Sequence, residues 1–413
     1  MFNHRFIKSL YWYLLPLVFS TALQATEYDF TAAKSILNGY VNEGKLAGAV
    51  VLVLKDDKTV LHYATGQQDV EAGIPMQTNS MFRIASQTKA ITSVAIMILQ
   101  EQGKLKVTDP VSKFIPSFST TTVLELDENK NAKVVEAKRE ITIHDLLTHS
   151  SGIGYGWGPN EQEWKDANMF GWYFADKTQS VGEALVGITD IPHLAHPGES
   201  FVYGHSTDLL GAIVEKVSAQ TLDVFFKQFI FDPLHMQDTH FYVPDSKLSR
   251  LATVYSATDK RIVRAPDTNQ TTNFMVSQGH YAKGPKKAFS GGAGLVSTAQ
   301  DYAQFLRMLL NMGILDGQRI ISAESVSAMT RDQIPYIEMD WNDGFGYAFA
   351  LTKQPNSDTV VQYEWGGAYH SQYYVRPEDK VAVVYLTQLN PNKGLKDWQH
   401  IDAAIKISLG IDR

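Results

Sequence analysis

Residues 86–100 read Ser-Gln-Thr-Lys-Ala-Ile-Thr-Ser-Val-Ala-Ile-Met-Ile-Leu-Gln. From Ala90 to Gln100 the run carries no charge, presents apolar residues to every side of a helical wheel, and stops at Gly103. A helix that is hydrophobic all round is a buried helix, so Ser86 and Lys89 at its start are expected in or beside the core. At i and i+3 their side chains share one face, with Cβ atoms about 5–6 Å apart. A serine hydroxyl is a weak nucleophile until a neighbouring base takes its proton, and a desolvated lysine can be that base. The first turn of a helix also leaves backbone N–H groups unpaired, and that of Ser86 can form half of an oxyanion hole. The same four residues also allow a plain reading in which Ser86 caps the helix and Lys89 snorkels to solvent. The spacing alone leaves both open.

Working outward, Glu27–Glu43 has the pattern of an amphipathic helix, with Phe30, Ala33, Ile36, Leu37 and Tyr40 on one face and Gly44 beyond its end. Gly48–Lys55 and Thr59–Ala64 read as strands joined by a tight turn. Residues 121–143 resemble a solvent-facing hairpin, residues 144–150 a short helix, and the composition from Glu161 to Ser249 turns helical and aromatic. Order returns at Gly291-Gly292-Ala293-Gly294. Helices are expected over Thr298–Asn311, Ala323–Arg331 and Lys396–Leu409, and strands over Gly346–Thr352, Tyr369–Val375 and Val381–Thr387. Strands at both ends of the chain must pair if the sheet is to exceed a bare hairpin. The expected organisation is therefore an α/β domain from residues 26–95 and 290–413, with a mostly helical domain, 96–289, inserted between them.

The first 25 residues carry Arg5 and Lys8, an apolar stretch from Leu10 to Leu23, and small residues at Ala22 and Ala25. This is the pattern of a cleaved secretory signal, with Ala25 the expected cleavage site, Ala22 the alternative, and an uncleaved anchor the competing reading. No other segment approaches the 18 or so apolar residues of a membrane helix, so a secreted or periplasmic protein without stable membrane insertion after cleavage is expected. A formal net charge of −7 without a basic patch argues against nucleic acid as a partner. The absence of cysteine rules out thiol catalysis and thiolate-bound metals. Stability must come from a large core, which a 44% hydrophobic chain of this length can supply.

Two further elements accompany the Ser-Lys pair. Tyr203-Gly204-His205 follows Pro197-Gly198-Glu199 and precedes an apolar helix pattern, and Trp365-Gly366-Gly367-Ala368 lies just before the expected strand at Tyr369. With the stretches at 82–105, 109–116, 141–153, 197–215, 289–313 and 365–388, the order SxxK, Tyr-x-Asn, Lys/His/Trp-x-Gly resembles the class C β-lactamase-like serine hydrolases. That family includes D-Ala-D-Ala carboxypeptidases, D-amino-acid peptidases, aminohexanoate-oligomer hydrolases and carboxylesterases. The resemblance spans nearly the whole chain after the N-terminal segment. It implies a β-lactamase/transpeptidase-like α/β (α+β) fold: an antiparallel sheet flanked by helices, with an inserted, mostly helical domain. It further implies no cofactor, and a small-molecule ester, amide or β-lactam substrate handled through a covalent acyl-enzyme. Carried over by position, Ser86 resembles the nucleophile, Lys89 its base, and Tyr203 the group that passes a proton to the leaving group. The N–H groups of Ser86 and Ala368 resemble the oxyanion hole.

Two positions depart from the family pattern. His205 stands where many members have asparagine, and Trp365 stands where penicillin-recognising members have lysine or histidine. A cation there would pair with a substrate carboxylate; tryptophan offers a flat apolar wall instead. This favours ester hydrolysis over D-Ala-D-Ala cleavage, with His370 a nearby residue able to restore a cation at acid pH. His205, Trp365, Gly366, Gly367, Tyr155 and His370 are accordingly the expected substrate-binding residues, with a structural histidine the alternative reading of His205, and Trp157 and Trp172 are expected to face the cleft. A degraded site serving only for binding is the non-enzymatic alternative. Gly204-His205-Ser206-Thr207-Asp208 approaches the G-x-S-x-G elbow with Ser206 as nucleophile, but its last glycine is missing. His193 and His196 lack the companion spacing of a metal site, and His144 and His149 are read as structural.

Overall fold

The computed structural model describes residues 28–129, 131–267 and 277–411; the expected signal segment, 1–25, lies outside them. Eight antiparallel strands form one sheet in the order 344–345, 350–353, 360–367, 371–376, 381–386, 48–55, 58–69 and 74–75. The N-terminal strand Gly48–Lys55 sits inside it, between Val381–Leu386 and Lys58–Asp69, with Val50 opposite Leu386 and Leu54 opposite Ala382. Successive side chains of a strand point to opposite faces. Val50, Leu52 and Leu54 enter one apolar cluster, while Ala49, Val51 and Val53 enter another. Burial on both faces explains why this strand reads as an unbroken apolar run.

Helices Thr31–Asn42 and Asp397–Leu409 pack together over one face, so the two ends of the described chain meet there. On the other face, helix Ala299–Leu310 lies against strands Gly48–Lys55 and Val381–Leu386. Helix Thr88–Glu101 runs against helix Ser206–Ser218, and every residue from Thr88 to Leu99 is buried. Among the described residues no helix is long and apolar enough to cross a membrane.

Two details differ from expectation. Trp365-Gly366-Gly367 precedes a strand, Ser371–Arg376, as expected, but it also ends one, Val360–Gly367, which alternation did not reveal because glutamine, glutamate and two glycines interrupt it. The segment 96–289 is less helical than its composition suggests. Its longest described helix is Ser206–Ser218, and it also holds the hairpins 122–126/132–136 and 255–257/262–264. Much of the remainder is irregular chain fixed by buried aromatics such as Trp164, Trp172 and Tyr281.

An ion cluster ties this segment to the strand that leads to Ser86. Asp238 accepts from Arg250, which also donates to the Asn79 carbonyl, and Lys247 lies 2.8 Å from the same carboxylate. The Met81 amide donates to the Arg250 carbonyl at 2.7 Å. The Arg250 hydrogen bonds lower the Asp238 pKa from 3.8 to about 2. A depressed carboxylate stabilises the fold above its unfolded value, and that stabilisation is lost as pH falls through the folded one. Asp238→Asn is therefore expected to lower Tm at pH 7 and to flatten the decline of Tm between about pH 4 and pH 2, as thermal melts across that window would measure.

Candidate active site

Ser86 occupies a single 3-10 turn, Ala85–Gln87, that runs directly into helix Thr88–Glu101. The turn is entered through Ala85 at φ +42°, a left-handed conformation that a side-chain-bearing residue adopts only where packing enforces it. Ala85 is fully buried, so the sharp entry is held by its surroundings and leaves Ser86 at the cleft wall.

Lys89, 1% exposed, places its Nζ 3.4 Å from Ser86 Oγ, 3.0 Å from Tyr155 Oη and 2.8 Å from the Gly292 carbonyl. The ammonium also lies 4.7 Å from the centre of the Tyr203 ring, a distance at which the ring face favours a cation. A carbonyl only accepts, so Lys89 donates to Gly292 in either charge state. A neutral amine can spend one N–H on Gly292 and one on Tyr155, leaving its lone pair for the Ser86 proton. Burial pushes the Tyr155 hydroxyl well above its usual pKa, with Tyr203 and Asp208 adding to the effect, so Tyr155 stays a neutral phenol.

The Gly292 carbonyl is itself aimed. Its own N–H donates to buried Asp208 Oδ1 at 3.0 Å, and Ser290 Oγ donates to the same oxygen at 2.5 Å. A Cβ on Gly292 would fall 2.4 Å from Asp208 Oδ2, so only glycine lets this loop press against helix Ser206–Ser218. The Gly291–Gly294 cluster was visible in the sequence, but nothing local indicated that it would hold the lysine. Asp208, read only as a flaw in a serine elbow, was missed likewise.

Tyr203 and Tyr155 meet edge to face at 5.6 Å because Gly204 packs on the Ile153–Gly154 backbone, where a Cβ would lie 2.2 Å from the Ile153 oxygen. Trp365 Nε1 donates to Tyr203 Oη at 3.2 Å. The indole can only donate, so this bond does not take up the phenolic proton of Tyr203. His149 packs against the Tyr203 ring at 4.7 Å. Burial and the nearby Lys89 charge push its pKa well below 6.5, so it is neutral. Gly367 closes the arrangement: a Cβ there would lie 2.4 Å from the Ile84 carbonyl. The strand end is thus seated against the turn of Ser86, and Ala368 follows it into the cleft.

The cleft, about 490 Å³, is lined by Ser86, Tyr155, Trp157, Trp172, Tyr203, Trp341, Asn342, Ala350, Glu364, Trp365, Gly366, Gly367, Ala368 and Gln372. Trp341, Asn342, Glu364 and Gln372 carried no sequence signal; they come from three different loops and strands. Two expected substrate-binding residues are corrected. His205 is fully buried behind Tyr155, stacked on Trp164, with Nε2 3.1 Å from the Met169 carbonyl. His370 lies outside the lining, its Nε2 2.6 Å from Asp397 Oδ1. Ser206 is also buried, 2.8 Å from Ser151 Oγ, and does not line the cleft. Among the described residues no cluster of His, Asp and Glu could hold a metal; His196 pairs with Glu125 at 3.0 Å.

The beta-lactamase family profile matches residues 33–406. Protein Rv1367c of Mycobacterium tuberculosis (strain ATCC 25618 / H37Rv) is 31% identical over 368 residues, covering 84% of this chain and 87% of its own. Esterase EstB of Burkholderia gladioli is 28% identical over 394 residues, covering 89% and 94% respectively. Among solved structures, EstCE1, described as a hydrolase with promiscuous acyltransferase activity, shares the fold with a TM-score of 0.75 at 24% identity, over 91% of this chain and 97% of its own. The extent of these matches places the chain in the beta-lactamase family, and it is a serine hydrolase of that family.

Proposed function

We propose that this protein is an exported carboxylesterase that hydrolyses uncharged esters through an acyl-enzyme on Ser86. The observation that carries this reading is the chemistry of the cleft wall. Aromatic side chains make up much of it, and tyrosines aside, its one acid or base among the described lining residues is Glu364. A penicillin or a peptide ending in D-alanine brings a carboxylate, which would find no cation in this lining and one acid. An ester with an apolar acyl or alcohol group finds Trp365, Trp341 and Trp157, the last two 52% and 44% exposed at the rim. Arg5, Lys8 and the apolar stretch that follows support export.

In this mechanism Lys89 takes the Ser86 proton as Oγ attacks the ester carbonyl, and the amides of Ser86 and Ala368 meet the charge on the carbonyl oxygen. Tyr203 protonates the departing alcohol, and the proton that Lys89 took from Ser86 replaces the one it gives up. Water then enters, gives a proton to the same pair, and releases the acid while Ser86 regains its hydrogen.

Ser86→Ala is expected to abolish both nitrophenyl ester turnover and labelling by a fluorophosphonate probe, while Ser206→Ala keeps the labelling. Retained labelling in the first variant would move the nucleophile elsewhere. Tyr203→Phe should lower kcat on nitrophenyl butyrate by about 10²–10⁴-fold, the range of a lost general acid–base group. Tyr155→Phe, losing a partner of Lys89 and not a proton carrier, should cost less. Finally, initial rates on short-chain nitrophenyl esters should exceed those on a chromogenic cephalosporin and a D-Ala-D-Ala peptide; the reverse order would transfer the protein to the peptidase or β-lactamase branch.

A further inference from the structure

The turn that carries Ala368 has an unusual support on the side away from the cleft. Strand Val360–Gly367 pairs with Ser371–Arg376, and the His370 amide donates to the Gly367 carbonyl at 3.0 Å, closing the four-residue turn. His370 has φ +65°, the left-handed region that favours glycine. Such a conformation persists in a side-chain-bearing residue only where the surroundings over-determine it, and here both ring nitrogens are occupied.

Nε2 lies 2.6 Å from Asp397 Oδ1, and Asn392 Nδ2 donates to Nδ1 at 2.7 Å. The orientation of Asn392 is set in turn, because its Oδ1 accepts from the Gly394 amide at 3.1 Å. Asp397, fully buried at the start of helix Asp397–Leu409, accepts from Tyr385 Oη through its other oxygen. These bonds assign the proton of His370 to Nε2 and tie the turn to the C-terminal helix. Tyr369, fully buried, anchors the middle of the turn: its carbonyl accepts from the Leu389 amide at 3.1 Å, and its ring meets Trp172 edge to face at 5.9 Å. Gly367 packs so closely on the Ile84 carbonyl that a Cβ there would lie 2.4 Å from its oxygen. The exposed residue of the turn is Ala368, which faces the cleft with Ser86.

We infer that His370, gripped by Asp397 and Asn392, is a positioning residue that holds the Ala368 amide in its place across from Ser86. The inference rests on the acyl-transfer reading of the cleft. It assigns His370 no contact with substrate and no proton transfer. Its effect is confined to the oxyanion, so it acts on the tetrahedral state and not on ground-state binding.

The test is His370→Gly, which accepts the left-handed backbone while deleting the grip, beside Asp397→Asn, which keeps the shape of the partner but removes its charge. Each is assayed in the full chain for kcat and KM on nitrophenyl butyrate, for affinity toward phenylboronic acid, whose adduct on Ser86 is a tetrahedral anion, and for Tm. Expected are a tenfold or greater fall in kcat for His370→Gly, a matching loss of boronic acid affinity, KM within about twofold of the parent, and a smaller loss for Asp397→Asn. Catalysis and boronic acid affinity within twofold of the parent in a folded His370→Gly protein would overturn the inference, as would losses in kcat that leave boronic acid affinity unchanged. A parent protein that neither labels with fluorophosphonate nor turns over esters would instead remove the acyl-transfer reading on which the inference stands.

Discussion

A primary amine held out of water is the constraint around which this molecule is arranged. Lys89 sits at the start of a helix whose every side is buried, and it is received by Ser86 one turn away and by two groups from distant parts of the chain, Tyr155 and the Gly292 carbonyl. A buried charge without hydrogen-bond partners would be costly, so the loops that bring Tyr155 and Gly292 are as necessary to the helix as to the chemistry. The glycines at 204, 292 and 367 allow those approaches, since at each a single methyl would collide with backbone or with the Asp208 carboxylate.

The nature of the cleft follows from what surrounds that amine. Trp365 donates to Tyr203, Tyr203 lies over Lys89, and His149 supports the ring as a neutral imidazole. Lys89, Tyr155 and Tyr203 thus share one small space with Ser86, while among the described residues the wall toward solvent is rich in aromatic rings and carries one carboxylate, Glu364, which burial pushes up in pKa. On the proposed esterase reading, such a wall suits an acyl group that carries no charge and leaves the polar work to backbone amides and hydroxyls.

Much of this was legible in the residues. The all-round apolar run after Lys89 announced a buried helix, and the doubly buried strand Gly48–Lys55 announced itself by eight residues without alternation. Local chemistry of that kind survives folding because it depends on near neighbours. What did not survive was inference about histidines. His205 and His370 occupy positions next to motif residues, yet one backs Tyr155 and the other is bound to Asp397. Proximity along the chain says nothing of the face on which a side chain emerges from a turn. The strand Val360–Gly367 escaped notice for another reason: most of its residues are only half-buried, so glutamine, glutamate and glycines are tolerated and its pattern lacks the apolar signature of a strand buried on both faces.

By itself, then, the sequence determined that Ser86 and Lys89 would meet, the order of the motifs, and the need for the first strands to join the last, because spacing on a helix and the burial demands of a strand are local or topological requirements. The tertiary structure alone decided which carbonyl receives Lys89, which rings wall the cleft, and what holds the turn of Ala368. Those partners lie up to 203 residues apart along the chain, as Lys89 and Gly292 do, and only the closure of the sheet brings them within hydrogen-bond reach.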